Sequence, residues 1–455
     1  MHRPRSPLAL ALCVVLSAPL ALAQTAPAAP LRLTLAEALR RAAADPPAVR
    51  VALARAAATQ AQIDVARSAY YPSLSVSGSA SINYRNFSNR TTGIVVRGMS
   101  ADQETSGDSS TFSTGASVNG QIPIWDFGRT SNAVEASEQA SNAARSDTDT
   151  ARIQAMGAVA SAYLTVLSDQ EAIAAAQATV TQREAHLRIA DGLVTAGARP
   201  PIERVRAQVN LDVARLDLTR TEGRTVNDRA ALAAALGVDP LQQFTLAPAD
   251  EGALAADDDP TRASEAAVRA RPELASLRHR VAQAEAQAAG ARANRAPALT
   301  AQASAALSYN TILGAGVGQS GNSESVQGGV SLSWPAFDPT INANIRASEA
   351  NIATARANLA QQSLQVRAAA TQAALSARIA RLALEQAERL AVSAAANLDQ
   401  ATGRYQSGAA PLLEIIDAQA ADASARAQVI TARLAWQTAR LNVLVATGEV
   451  ARLAR

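Results

Sequence analysis

The chain has 455 residues, 42 basic against 39 acidic side chains, and a formal net charge of +3. Every basic residue is arginine, and two of them, Arg3 and Arg5, lie in a leader-like start, so the charge balance excludes a nucleic-acid binder working through net basic charge. Aromatics make up 3% while 48% is apolar, largely alanine. A globular core of this length would draw on more Phe, Leu and Tyr, so the composition points to long helices packed at close range.

Residues 1–23 read as a secretory signal peptide: a basic start, an apolar run Leu8–Leu16, and a small-x-small site at Ala21-Leu22-Ala23. The run is too short for a membrane anchor. Cleavage there removes Cys13, the only cysteine, and leaves an exported chain without thiol or disulfide. No later segment reaches about 18 unbroken apolar residues, so no membrane-spanning helix is expected. Residues 24–69 form an N-terminal segment with a helix over Leu35–Ala69 that carries Pro46 and Pro47 near its start.

Residues 70–127 read as a β-hairpin. Leu74, Val76, Gly78, Ala80, Ile82 and Tyr84 alternate with serines and Asn83; Phe112, Ala116, Val118, Ile122 and Ile124 alternate with Thr111, Ser113, Ser117, Asn119 and Gln121. A period of two over about ten residues is the pattern of a barrel strand. A polar loop, roughly Ser88–Asp108, joins the two. Residues 128–238 lack proline until Pro200, which predicts a helix of roughly 100 Å at ~1.5 Å per residue, a turn at Gly197–Pro201, and a second long helix. Residues 239–296 read as a linker and another proline-bearing helix, Arg262–Arg295.

Residues 297–337 repeat the hairpin, with strands Leu299–Asn310 and Ser325–Trp334 around a loop at Gly314–Asn322. The glycines of that loop lead into a strand and not a helix, so a hairpin loop explains them better than a phosphate loop. Residues 338–450 repeat the helical hairpin, with a heptad seam through Ile341, Ile345, Ser348, Ile352, Ala355, Leu359, Gln362 and Val366. Aromatics gather near strand ends at Tyr71, Tyr84, Trp125, Tyr309 and Trp334, as in an interfacial girdle. A sandwich with one wet face is the alternative, but four strands with a smooth Ala/Gly/Val/Leu face supply no large core residues.

The halves are related by a shift of about 211 residues: "VTAGARPPIERVRAQV" falls on "YQSGAAPLLEIIDAQA", with Gly197 on Gly408, Pro200 on Pro411 and Glu203 on Glu414. Four strands cannot close a barrel, and open edges in lipid cost several kcal/mol per unpaired group. Several chains must therefore share one barrel; three supply about twelve strands, wide enough for water inside.

The opening "LTLAEALRRAAADPPAVRVALARAAATQAQIDVARSAYYPSLSVSG", the segment "PIWDFGR" and above all "GRYQSGAAPLLEIIDAQ" resemble the TolC family of outer-membrane efflux ducts. The resemblance covers nearly all of the chain after the leader. It implies a mostly α chain with four membrane strands, a homotrimer with a 12-stranded β-barrel in outer-membrane lipid, and a periplasmic α-helical coiled-coil barrel. A small mixed region at the equator, near Leu31, Leu241–Pro260 and the C-terminus, completes the fold. It further implies a passive exit duct opened by a periplasmic adaptor (membrane fusion) protein and an inner-membrane pump of RND or ABC type, with no enzyme activity, cofactor, metal or nucleic acid. Cargo stays open between drugs, small molecules and a secreted polypeptide.

The resemblance also places the periplasmic constriction at Glu414 and Asp417, three apart on a helix face. Rings of such carboxylates favour cations, whereas the residues alone also fit solvated coiled-coil charges. Tyr405 and Glu203 match a tip lock whose arginine position is Ala410 here; Arg404, Arg199 and Arg206 are the candidates to replace it. The hairpin tips at Gly197, Pro200, Gly408 and Pro411 are the expected adaptor contacts, although as turns they need no partner. His186 and His279 lack metal-ligand spacing and read as solvated helix residues. Asp257–Asp259 read as a polar linker. A periplasmic coiled-coil adaptor or a secreted enzyme would be the competing classes; the first would lack the strands and the second would need a catalytic constellation.

Overall fold

A computed structural model describes residues 31–44, 46–92, 102–242, 244–248, 252, 254–313, 319–407 and 409–454. The expected leader, the tips of both strand loops and Gly408 lie outside them. The order is β1 (Leu31–Leu33), α1 (Leu35–Ala44), α2 (Pro47–Ser68), β2 (Ser73–Thr92), β3 (Asp102–Trp125), α3 (Arg129–Thr195), α4 (Ile202–Leu236), β4 (Phe244–Leu246), α5 (Pro260–Ala270), α6 (Pro272–Ala293), β5 (Ala298–Leu313), β6 (Gln319–Ser333), α7 (Pro339–Gln406), α8 (Leu412–Thr447) and a 3-10 turn, Glu449–Ala454. The internal prolines do what proline does in a helix interior: Pro47 and Pro272 start new helices, splitting each expected N-terminal helix in two.

The four long strands form one antiparallel sheet in the order β2-β3-β5-β6. They run 20, 24, 16 and 15 residues, well beyond the alternating stretches. Backbone pairing continues through Thr92↔Asp102 and Ile312↔Gln319, where the sequence pattern indicated loops. Beyond the apolar band a strand needs no greasy face, so its composition turns loop-like while its register persists.

The long helices α3 and α7 span 67 and 68 residues, or about 100 Å each. Along α7 every position of the expected seam is buried or half-buried. The line then continues through Ala370, Ala373, Ala377, Ala380, Leu384, Ala387, Ala391, Ala394, Leu398, Ala401 and Tyr405. Steps of four and three alternate throughout except at Gln362–Val366–Ala370, where two four-residue steps follow each other. At this stutter Val366 and Ala370 pack with Ala267 and Leu274 of α5 and α6 and with Ala446 of α8. Large apolar residues of α7, Leu375, Ile379, Leu382 and Leu390, lie on the other, exposed side, as do Val205, Val209, Val213 and Leu216 of α4.

The hub sits at mid-length. Strands β1 and β4 pair in parallel and, with the C-terminal turn, close over α1, α3, α4 and α8. Leu33, Leu39, Val159, Tyr163, Leu164, Leu232, Leu441, Leu444 and Val450 are essentially solvent-free there. The Tyr163 hydroxyl lies within hydrogen-bond reach of the Leu33 carbonyl at 3.0 Å and of the Ala247 carbonyl, tying the small sheet to α3; burial pushes its pKa up to about 12. Gly157 of α3 permits close approach of α8, because a Cβ there would meet Val445 Cγ2 at 2.9 Å.

The candidate channel wall and the helical tip

In the sheet, register rows carry the alternation of the sequence into two faces. Val76, Val118, Ala305 and Val326 form one row; Ser75, Asn119, Ser304 and Gln327 form the next. The first kind of row is smooth and apolar, the second hydrated, and a hollow on the sheet is lined by Ser75, Asn119, Gln302 and Gln327. This is the chemistry of a membrane barrel wall with lipid outside and water inside.

All five expected girdle residues are exposed. Tyr71, Trp125 and Trp334 stand at the helix-proximal ends of the strands; Tyr84 and Tyr309 stand further along β2 and β5. Trp125 pairs with Leu299, and Tyr309 follows ten positions later. At ~3.3 Å per residue and a tilt near 40°, the two levels lie about 25 Å apart, the height of an outer-membrane apolar band. Below the band, Phe127 takes a left-handed φ of 54° and sets its ring edge-on to Trp125 at 5.9 Å. The Asp126 carboxylate accepts from the backbone N–H of Gly128 (3.1 Å) and Thr130 (2.7 Å), so strand turns into helix with its first donors satisfied.

At the far end each hairpin reverses through a tight turn. Gly197 has φ +67°, and the Ala198 N–H reaches back to the Leu193 carbonyl at 2.9 Å. In the second hairpin Ala409 N–H does the same to Arg404, and Pro411 precedes the first residue of α8. Pro200 accepts from Glu203 N–H at 3.1 Å and opens α4.

Side chains of the two hairpins meet here. Tyr405 is buried, with the Arg199 guanidinium 5.4 Å from its ring centroid; Arg199 also reaches Glu203 at 3.8 Å. Burial, then the Glu203 carboxylate, raises the Tyr405 pKa, and Arg199 opposes that shift. Of the three candidate arginines, Arg199 thus stands beside both Tyr405 and Glu203. Arg404 pairs instead with Glu414 at 2.6 Å, and Arg206 is exposed. Asp417 is exposed with no partner among the described residues, so the two acids of the expected constriction differ: Glu414 is charge-paired and Asp417 is free.

His186 corrects an expectation. It is 6% exposed, wedged between the hairpins, and not on a solvated face. Burial, then Arg183, lowers its pKa below 6.5, while Glu203 opposes them. The Ala/Arg/Glu surroundings misled because alanine marks the buried seam in this chain. His279 is half-buried, its Nδ1 2.8 Å from Gln139 Oε1. Asp259 accepts from Thr261 and Arg262 N–H and caps α5, while Asp257 pairs with Arg262 and Asp258 with Arg381. No metal-holding group of three or more ligands occurs among the described residues.

A half-lipid, half-water sheet joined end to end with helices of about 100 Å defines an outer-membrane channel with a helical tunnel. The description "outer membrane efflux protein" matches residues 38–238 and 263–449, and the chain belongs to that family. It is a channel of the TolC type and not an enzyme, located in the outer membrane with its helices in the periplasm. Among solved structures, the Campylobacter jejuni CmeC outer membrane channel superimposes with a TM-score of 0.71 at 19% identity, over 91% of this chain and 85% of that one. A Pseudomonas aeruginosa membrane protein gives 0.71 at 22%, over 91% and 93%. The outer membrane protein VceC of Vibrio cholerae gives 0.67 at 18%, over 91% and 96%. Among curated protein sequences none matches significantly.

Proposed function

We propose that three copies of this chain close a 12-stranded barrel and form the passive exit duct of a tripartite efflux or type I secretion system. The observation that carries this reading is the open four-stranded sheet. Strands β2 and β6 each have one unpaired edge, and such edges are too costly to leave bare in lipid. The exposed Leu, Ile and Val stripes of α4 and α7 support the same assembly, since they would otherwise face water. A periplasmic adaptor engaging the hairpin tips near Gly197, Pro200, Gly408 and Pro411, together with an inner-membrane pump of RND or ABC type, would open the tip and supply the energy. Drugs, small molecules or a polypeptide would then pass without chemistry on the duct itself.

In this reading Asp417, copied threefold, forms the cation-favouring ring. Glu414 contributes less because Arg404 balances it. Tyr405, Arg199 and Glu203 hold the hairpins together in the closed state. The test is the oligomer mass in detergent with single-channel conductance in a planar bilayer. A trimer with a small, cation-selective conductance that loses selectivity in Asp417→Ala supports the reading. A folded monomer, or a trimer without conductance even after tip-lock mutation, overturns it.

A further inference from the structure

Between the two hairpins, just above the tip, lies a cavity walled by Ala185, Ile189 and Leu193 of α3, Ile415 of α8 and the Tyr405 ring. Its polar rim is His186, Arg199 and Gln419. Two buried polar atoms on its lining, His186 Nε2 and Tyr405 Oη, have no hydrogen-bond partner among the described residues. Buried polar atoms are ordinarily satisfied, and an orphan costs about 1–3 kcal/mol. Two such groups, both able to donate, point into one cavity.

The charges say which complement. Arg183 is 8% exposed, and its hydrogen-bond partner among the described residues is the neutral side-chain carbonyl of Gln419, itself on the cavity rim. No carboxylate lies within ion-pair reach of Arg183 among the described residues. Arg199, on the cavity wall, has Glu203 at 3.8 Å, whereas Arg183, which reaches the rim only through Gln419, has no anion, and a buried cation left without one is costly. The remaining rim groups can donate: Tyr405 O–H, the Gln419 amide and, in one tautomer, His186 Nε2–H.

We propose that this cavity binds a small amphipathic anion, an apolar ring or short alkyl body carrying one carboxylate, which bridges α3 to α7 and α8. The carboxylate would sit toward the Arg199 guanidinium and the Gln419, Tyr405 and His186 side chains, with Arg183 behind Gln419, and the apolar body against Ile189, Leu193 and Ile415. Such a ligand staples the two hairpins from within. Binding is read on the protein whether or not it conducts, so this inference can fail while the duct reading stands.

The experiment is calorimetric titration of 4-phenylbutyrate into the full-length protein in lipid nanodiscs, with empty nanodiscs subtracted and 4-phenylbutanamide as the uncharged twin. Expected is saturable binding with a dissociation constant on the order of 1 mM or tighter. The amide, and the acid with Arg183→Gln or Arg199→Gln, should bind about tenfold more weakly or worse. Ala185→Phe, which fills the cavity without touching a charge, should abolish binding. Heat no greater than that of empty nanodiscs up to about 10 mM, equal binding of the amide, or unchanged binding in Ala185→Phe would each overturn the site. The amide comparison needs no variant and decides the charge requirement even if an arginine substitution prevents folding.

Discussion

The hub and the tip are built from the same long helices and packed by opposite rules. At the hub, Leu, Val and Tyr side chains are fully dry, and the buried Tyr163 hydroxyl finds backbone carbonyls. At the tip, the Tyr405 hydroxyl, also buried, has no partner among the described residues, and neither do the His186 Nε2 and Glu203 Oε2 atoms. A satisfied core resists rearrangement, whereas orphaned polar atoms gain partners or water when the structure opens. The contrast separates a mid-length hub whose polar groups are satisfied from a tip whose polar groups are not.

The comparison can be broken most decisively at the hub. Leu164→Ala should lower stability by about 2–5 kcal/mol through the cavity it leaves, seen as a lower thermal midpoint of the helical signal. Tyr163→Phe should cost about 1–2 kcal/mol, because it strips a buried carbonyl of its donor. The same chemical change at the tip should have the reverse sign. Tyr405→Phe removes an orphan and should leave stability unchanged or raise it by up to about 1 kcal/mol. A clear loss in Tyr405→Phe would mean that the hydroxyl has a partner in the assembled protein.

Two smaller effects are read through pH. His186 has a lowered pKa, so its contribution to the packing of the tip is complete above about 6.5 and is lost as pH falls through the lowered value. The groups facing it are Arg183 on α3, Arg199 in the turn, Glu203 on α4, Tyr405 on α7 and Gln419 on α8. Acidification should therefore lower the amide-exchange protection factors, taken relative to the intrinsic rate at each pH, at the tip but not at the hub, and His186→Gln should flatten that dependence. Asp169 behaves oppositely. Burial, then its contact with Asp228, raises its pKa to about 6, so the stability it brings is fully present below 3.8 and fades as pH rises through about 6. Asp169→Asn should raise the midpoint by about 2 °C at pH above 7 and leave it unchanged in acid; a gain at both pH values would point to a packing effect instead.

Much of this fold was legible because period is physical. The alternation from Leu74 to Tyr84 reappears as the register rows of the sheet, and the seam from Ile341 to Val366 as the contact line of α7. The seam below Val366 escaped notice because it is almost all alanine, and alanine carries no signal that separates a buried helix face from an exposed one. The same blindness hid the burial of His186. The strands beyond Tyr84 and before Thr111 were invisible because pairing outside lipid imposes no apolar alternation. The tip's acids and tyrosine could be placed on their turns, but not its partners: Arg199 and Arg404 are equally close to the tip in sequence, and only the folded turn decides which one reaches Tyr405.

The doubled four-residue step in α7 has a mechanical consequence. A heptad seam winds two helices around each other, and an inserted step of four locally unwinds that coil. Here the insertion falls where α7 passes from α5 and α6 to α8. The helix thus runs through Val366 unbroken while its supercoil relaxes there, so one rigid rod can serve two sets of neighbours along its length.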